Sequence, residues 1–335
     1  MCFLDKLLNA FILKPTYRDL RSIHSSEALP SSIIEMRKWA NEMADKSSAT
    51  LTRRWNISFI NVPIKEGDGT VEVLIHTQNQ TGAQDERLPL FLYVHSGGYV
   101  FGSHKEQIAS EMAETLLKEH GARCVFASVA YRLAPEHPAP AACLDVEAAF
   151  EHLLSDAVAS RFGYDASRLH LYGVSAGAGL AYAAGASLCR QGFASRIGSI
   201  FLDCPMSCPM MDTPSFKRNA DTYLPVTFIE WSWDAYAGPD RRAAAADPMI
   251  CPHGDPDGVT QMKGVYVVLV TCKADPLRDD GIAIKDALTL AGSHVAHWDL
   301  PSSHCLHFYV LRQQTKDVYE KLSELLKSTF KRRNA

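Results

Sequence analysis

Leu171-Tyr-Gly-Val-Ser-Ala-Gly-Ala-Gly179 sets a lone serine between glycines, directly after an apolar run and directly before an alanine-rich one. The run Arg168-Leu-His-Leu-Tyr172 reads as a strand, and Ala176 to Gln191, dense in Ala, Leu and Tyr, reads as a helix. Ser175 therefore belongs to a strand-to-helix turn that needs small neighbours. Three readings fit such a turn. It can be a plain Gly-rich βα connection, a dinucleotide loop, or an elbow that lifts a nucleophilic hydroxyl clear of a sheet. The dinucleotide reading fails on its third glycine, because Tyr182 stands there. The other two are separated by what the rest of the chain offers.

The chain has 335 residues, 47% hydrophobic and 21% charged, enough for a sizeable buried core. A formal net charge of -4, with no basic stripe interleaved with aromatics, excludes a nucleic-acid binder. The nine cysteines are scattered through apolar segments and read as buried free thiols, which predicts a reducing, cytoplasmic setting. Cys204-x3-Cys208 and Cys251-Pro-His253 each lack a second ligand pair at metal spacing, so no metal is expected. At the N-terminus, apolar residues 3, 4, 7, 8, 11 and 12 recur at helical spacing. This helix is expected to pack onto the body of the protein, with peripheral membrane contact as the alternative.

Strands are predicted over 52–62, 70–76, 88–94, 124–131, 168–172, 197–203, 265–271 and 294–299, and helices over 105–119, 140–155, 176–191, 279–291 and 309–329. The alternation after residue 88 predicts βαβ crossovers and a mostly parallel eight-stranded sheet flanked by helices. The first two strands have no helix between them and predict an antiparallel hairpin at one edge. Residues 51–204 and 251–335 are expected to form the α/β domain. Residues 1–50 and the insertion 205–250, which holds Phe228, Trp231, Trp233 and Tyr236, are expected to form a helical cap above the sheet.

A serine nucleophile needs a base, a group that orients the base, and donors for the developing oxyanion. The strand Leu90-Phe-Leu-Tyr-Val94 runs into His95-Ser-Gly-Gly-Tyr99, where Gly97 and Gly98 can expose backbone N–H groups, with Ala176 supplying a third. His95 precedes these donors and reads as a loop organiser. The strand ending at Thr271 leads into Cys272-Lys-Ala-Asp-Pro-Leu-Arg-Asp-Asp280. Asp275 is the candidate acid, whereas Asp279 and Asp280 read as capping and dipole-compensating residues of the next helix. His304 and His307 both follow the strand of His294 and His297 and are candidates for the base; the two strand histidines read as surface or packing residues.

Four blocks together resemble the hormone-sensitive-lipase-like branch of the α/β-hydrolases. They are His95-Ser-Gly-Gly-Tyr99, Tyr131-Arg-Leu-Ala-Pro-Glu-His-Pro138, Gly173-Val-Ser-Ala-Gly177, and Asp275-Pro-Leu-Arg-Asp279 followed by His304. The resemblance implies an α/β-hydrolase fold with a helical cap, no cofactor, a triad of Ser175, Asp275 and His304, and an oxyanion hole from Gly97, Gly98 and Ala176. It implies hydrolysis of esters of small or medium acylated metabolites through an acyl-enzyme. A lyase or acyltransferase in the same pocket, or a ligand-binding protein without the chemistry, are the alternatives, since fold alone does not fix function. Several positions depart from the family pattern: Ser96 for a glycine, Val174 and Ala178 in the elbow, and Ala130 for an acid. The loop before His304 is one residue shorter, which keeps His307 open as the base.

Overall fold

The computed structural model of the protein describes residues 33–42, 55–78, 87–106, 124–220, 222, 224–305, 317 and 320. The N-terminal helix over 3–12 and His307 lie outside the described residues, as do the helices expected over 105–119 and 309–329 apart from 105, 106, 317 and 320.

Eight strands form one sheet in the order β1-β2-β4-β3-β5-β6-β7-β8. Their bounds are β1 Trp55–Pro63, β2 Thr70–Gln78, β3 Leu88–Val94, β4 Val125–Val129, β5 Tyr164–Val174, β6 Ile197–Asp203, β7 Tyr266–Cys272 and β8 His294–Leu300. β1 and β2 form the expected antiparallel hairpin, β2 runs antiparallel to β4, and every other pairing is parallel. The described helices are α1 (residues 33–42), α2 Ala141–Leu153, α3 Asp156–Phe162, α4 Ala176–Arg190, α5 Pro214–Arg218, α6 Val226–Ala237, α7 Arg241–Ala246, α8 Pro256–Thr260 and α9 Arg278–Leu290.

The middle strands are apolar without alternation because both faces are covered. Every residue of β3 is buried. Leu90, Leu92 and Val94 join one core with Val125, Ala127 and the helix residues Phe150 and Leu180. Phe91 and Tyr93 point the other way, into a second core with Phe126, Tyr172 and Phe201. β5 begins four residues earlier than its sequence pattern indicates. Gly163 ends α3 in a left-handed turn, φ 74°, and the strand starts directly after it.

The ladder registers align the carboxyl ends of five parallel strands. Val94 pairs with Gly173, Val174 with Asp203, Asp203 with Val270, and Cys272 with Leu300. The loops after β3, β5, β7 and β8 therefore start at a common rim, where open α/β sheets place their ligands. Between β6 and β7 the chain forms the short helices α5 to α8. Phe228, Trp231, Trp233 and Tyr236 are buried there, with Tyr99 stacked on Tyr236 at 4.0 Å and packed against Trp233.

Candidate active site

Ser175 sits between β5 and α4 with φ 57° and ψ -119°, a conformation an L-residue holds only at a cost of about 1–3 kcal/mol. The surrounding glycines are steric necessities. A Cβ on Gly173 would lie 2.1 Å from the Gly177 carbonyl oxygen, and one on Gly177 would lie 2.1 Å from that of Val94. The turn thus presses against the end of β3. It is held by Ser175 N–H donating to Asp203 O at 2.8 Å and by Met206 N–H donating to Ser175 O at 3.1 Å.

Ser175, His304 and Asp275 meet at this rim. Ser175 Oγ lies 2.9 Å from His304 Nε2, and His304 Nδ1 lies 2.7 Å from Asp275 Oδ2. A carboxylate can only accept, so the proton sits on Nδ1 and leaves the Nε2 lone pair for the serine hydroxyl to donate into. The three residues are 8%, 5% and 0% exposed, respectively. Asp275 is anchored by accepting the Leu277 N–H at 2.9 Å, and its backbone carbonyl accepts from Asn219 Nδ2 at 2.9 Å. Burial by itself pulls the His304 pKa down. The charge and hydrogen bond of Asp275 outweigh it, and the imidazole titrates above its ordinary value. An alcohol that donates to such an imidazole is polarised toward nucleophilic attack.

The loop after β3 lies alongside. Gly97 and Gly98 have φ 123° and 61°, conformations that favour glycine. A Cβ on Gly97 would lie 2.0 Å from Phe101 O, and one on Gly98 would lie 2.8 Å from both Phe228 Cζ and Ser232 Oγ of α6. Among the described residues no acceptor takes the N–H of Gly97, Gly98 or Ala176. His95 donates from Nδ1 to Ser96 O at 2.8 Å, stacks on Tyr131 at 4.0 Å, and is pushed down to about 3 by burial. It is a neutral loop organiser with no contact to the serine hydroxyl. The Ser96 N–H donates to Glu106 at 3.0 Å, and burial raises that carboxyl to about 8.

Two roles were illegible in the sequence. Asp279 and Asp280 lie in the first turn of α9, where acids suit the helix dipole, but neither caps the helix: their carboxyl groups bond the insertion. Asp279 accepts from Ser215 N–H at 2.8 Å, and Asp280 accepts from the N–H groups of Ser207 and Cys208 at 3.2 Å. Asn219, which secures the acid loop, carries no motif. The Tyr-Arg-Leu signature has a concrete use, because Arg132 makes a bidentate pair with buried Asp145 at 2.8–3.1 Å. His297 Nε2 meets Thr271 Oγ1 at 2.8 Å and takes no part in the site.

Residues 91–308 match the alpha/beta hydrolase fold family. The chain belongs to that family. Within it, the chain falls in the hormone-sensitive-lipase-like branch. This α/β-hydrolase is 30% identical over 226 residues to carboxylesterase NlhH of Mycobacterium tuberculosis, covering 67% of each chain. It is 32% identical over 207 residues to esterase LipI of the same organism, covering 61% of each. A solved esterase of Rhizomucor miehei shares the fold with a TM-score of 0.77 at 22% identity, over 95% of this chain and 97% of that one. No helix among the described residues of this α/β-hydrolase is long and apolar enough to cross a membrane.

Proposed function

We propose that this α/β-hydrolase is a carboxylesterase that works through an acyl-enzyme on Ser175. The observation that carries the reading is the continuous hydrogen-bonded line from Ser175 Oγ through His304 to Asp275, buried and at 2.9 and 2.7 Å. His304 takes the serine proton as the hydroxyl attacks the ester carbonyl, and Asp275 holds the imidazole in the tautomer that permits it. The N–H groups of Gly97, Gly98 and Ala176 stabilise the tetrahedral oxyanion. Each such donor contributes about 10²–10³ in rate. His304 then protonates the leaving alcohol and activates the water that releases the acid.

The helix α1 and the insertion act as a cap over this rim. Two contacts support this: Arg37 of α1 donates to Val100 O and Ala134 O at 2.7 Å, and Phe228 and Ser232 of α6 stand against Gly98. The Phe101 and Phe228 rings, 5.9 Å apart, crowd the donor loop, which favours short to medium acyl groups over long chains. A panel of p-nitrophenyl esters of rising chain length, run with Ser175→Ala alongside, tests the proposal. Turnover is expected to fall with chain length and to vanish in the variant. Undiminished turnover by Ser175→Ala contradicts it.

A further inference from the structure

The segments Cys204-x3-Cys208 and Cys251-Pro-His253 are unremarkable as separate motifs, but the fold joins half of one to the whole of the other. Cys208 Sγ, Cys251 Sγ and a ring nitrogen of His253 lie within 4.8 Å of one another. Cys251 Sγ stands 3.4 Å from His253 Nε2. Tetrahedral zinc has Zn–S bonds of about 2.3 Å and Zn–N bonds of about 2.0–2.1 Å, so its S···N edges are about 3.6 Å and its S···S edges about 3.8 Å. The Cys251–His253 pair already stands near the S···N edge, and Cys208 Sγ lies within 4.8 Å of both.

A second group of this kind, Cys204, His304 and Cys305, also gathers at the rim. It lacks a free ring nitrogen, because both nitrogens of His304 are engaged by Ser175 and Asp275. His253 has no such commitment: its ring nitrogens meet Cys251, with Cys208 beside them, and its flat face lies against Tyr182. The backbone of Cys208 is fixed from α9, where Asp280 accepts its N–H. Support of this kind around a ligand raises metal affinity. Cys251 is buried while Cys208 and His253 are half-buried, so the group is open on one side.

We propose that Cys208, Cys251 and His253 bind a thiophilic divalent cation of the zinc class, with a fourth position open to solvent. The position gives the site its consequence. Cys208 precedes α5 and Cys251 follows α7, so the ion clasps the chain where it leaves the sheet and where it returns. Two residues before Cys208, the Met206 N–H holds the carbonyl of Ser175. The clasp thus fixes the base of the insertion beside the serine turn.

The test uses the full-length protein, reduced with a phosphine, freed of metal with a chelator, and titrated with Co²⁺. The expected result is saturation at a single equivalent, with sulfur-to-cobalt charge-transfer absorption that Zn²⁺ abolishes by displacement. Cys208→Ser and Cys251→Ser each weaken Co²⁺ binding by more than about 100-fold, beyond what loss of a supporting contact produces. Cys204→Ser binds as wild type does. A measurement free of variants accompanies it: Zn²⁺ protects Cys208 of the wild-type chain from alkylation, read by peptide mass spectrometry. Absence of the charge-transfer band overturns the proposal, as does binding that survives in Cys208→Ser and Cys251→Ser but is lost in Cys204→Ser. Unprotected alkylation of Cys208 in saturating Zn²⁺ overturns it equally.

Discussion

Replacing Asp275 by asparagine exchanges one oxygen for one nitrogen at a fully buried position, and the structure dictates which way the amide turns. Asp275 Oδ1 accepts the Leu277 N–H at 2.9 Å, a role only the amide oxygen can keep. The amide NH₂ therefore faces His304 Nδ1 at the 2.7 Å contact and donates into it. The imidazole proton moves to Nε2, which now presents N–H to Ser175 where a lone pair is required. The base is lost while the packing is kept, and a change of this kind in a Ser-His-Asp triad lowers kcat by about 10⁴. That corresponds to about 5.4 kcal/mol of transition-state stabilisation, at about 1.36 kcal/mol per tenfold. The same substitution removes the charge that holds the His304 pKa up and leaves the burial that pulls it down. The acid limb of the residual activity therefore moves to lower pH. The assay is steady-state hydrolysis of a short p-nitrophenyl ester across pH, with kcat and KM resolved. Activity within tenfold of wild type, or an acid limb that does not move, refutes the reasoning.

With His304 as the proposed base, the acid limb of kcat/KM in the wild-type protein is expected above pH 6.5, the ordinary imidazole value, because that base must be neutral and its pKa is raised; a limb at or below that pH contradicts this. The raised pKa also makes the His304–Asp275 contribution to stability fully present below pH 6.5 and lost as pH rises through the folded value. Urea unfolding at several pH values is thus expected to show wild type gaining on Asp275→Asn as pH falls. Gly98→Ala drives a methyl into Phe228 and Ser232 at 2.8 Å, at a φ of 61°, and is expected to lower kcat by about 10²–10³ through displaced oxyanion donors. Its circular dichroism should stay native, and wild-type kcat would contradict the prediction. Arg132→Ala leaves the carboxyl of Asp145, whose side chain is 0% exposed, without its cationic partner and with the residue-132 backbone N–H as its remaining donor, and is expected to cost about 3–5 kcal/mol in urea unfolding. A loss below about 1 kcal/mol would place the pair among ordinary surface ion pairs.

The strands were legible because the parallel core of an α/β sheet is written in uninterrupted apolar runs, such as Leu90 to Val94. The strand-to-helix turn was legible because only small residues survive where Gly177 meets Val94 O at 2.1 Å. Helices α5, α7 and α8 were not individually legible: at five or six residues each, they are too short to show a 3.6-residue period. The position of α5 and of the segment before it is instead fixed from outside, by Asp279 and Asp280 reaching across from α9. For the same reason those two aspartates read as helix-end residues in the sequence and turn out to bond the insertion. The start of β5 was hidden by Asp165 and Ser167, which form a local side-chain turn with Ser167 donating to Asp165 at 2.7 Å. Cys208 and Cys251 carry no mutual signal in the sequence, because their proximity is created by the excursion of the chain between β6 and β7.

The most direct test of the account is where a fluorophosphonate probe reacts. The probe needs an activated hydroxyl and the donors that stabilise a tetrahedral oxyanion, so peptide mass spectrometry of the labelled protein reads the whole site at once. The account predicts a single adduct on Ser175, absent from Ser175→Ala and sharply slowed in Asp275→Asn. An unlabelled Ser175 in a protein that still hydrolyses esters, or an adduct on another residue, would contradict it.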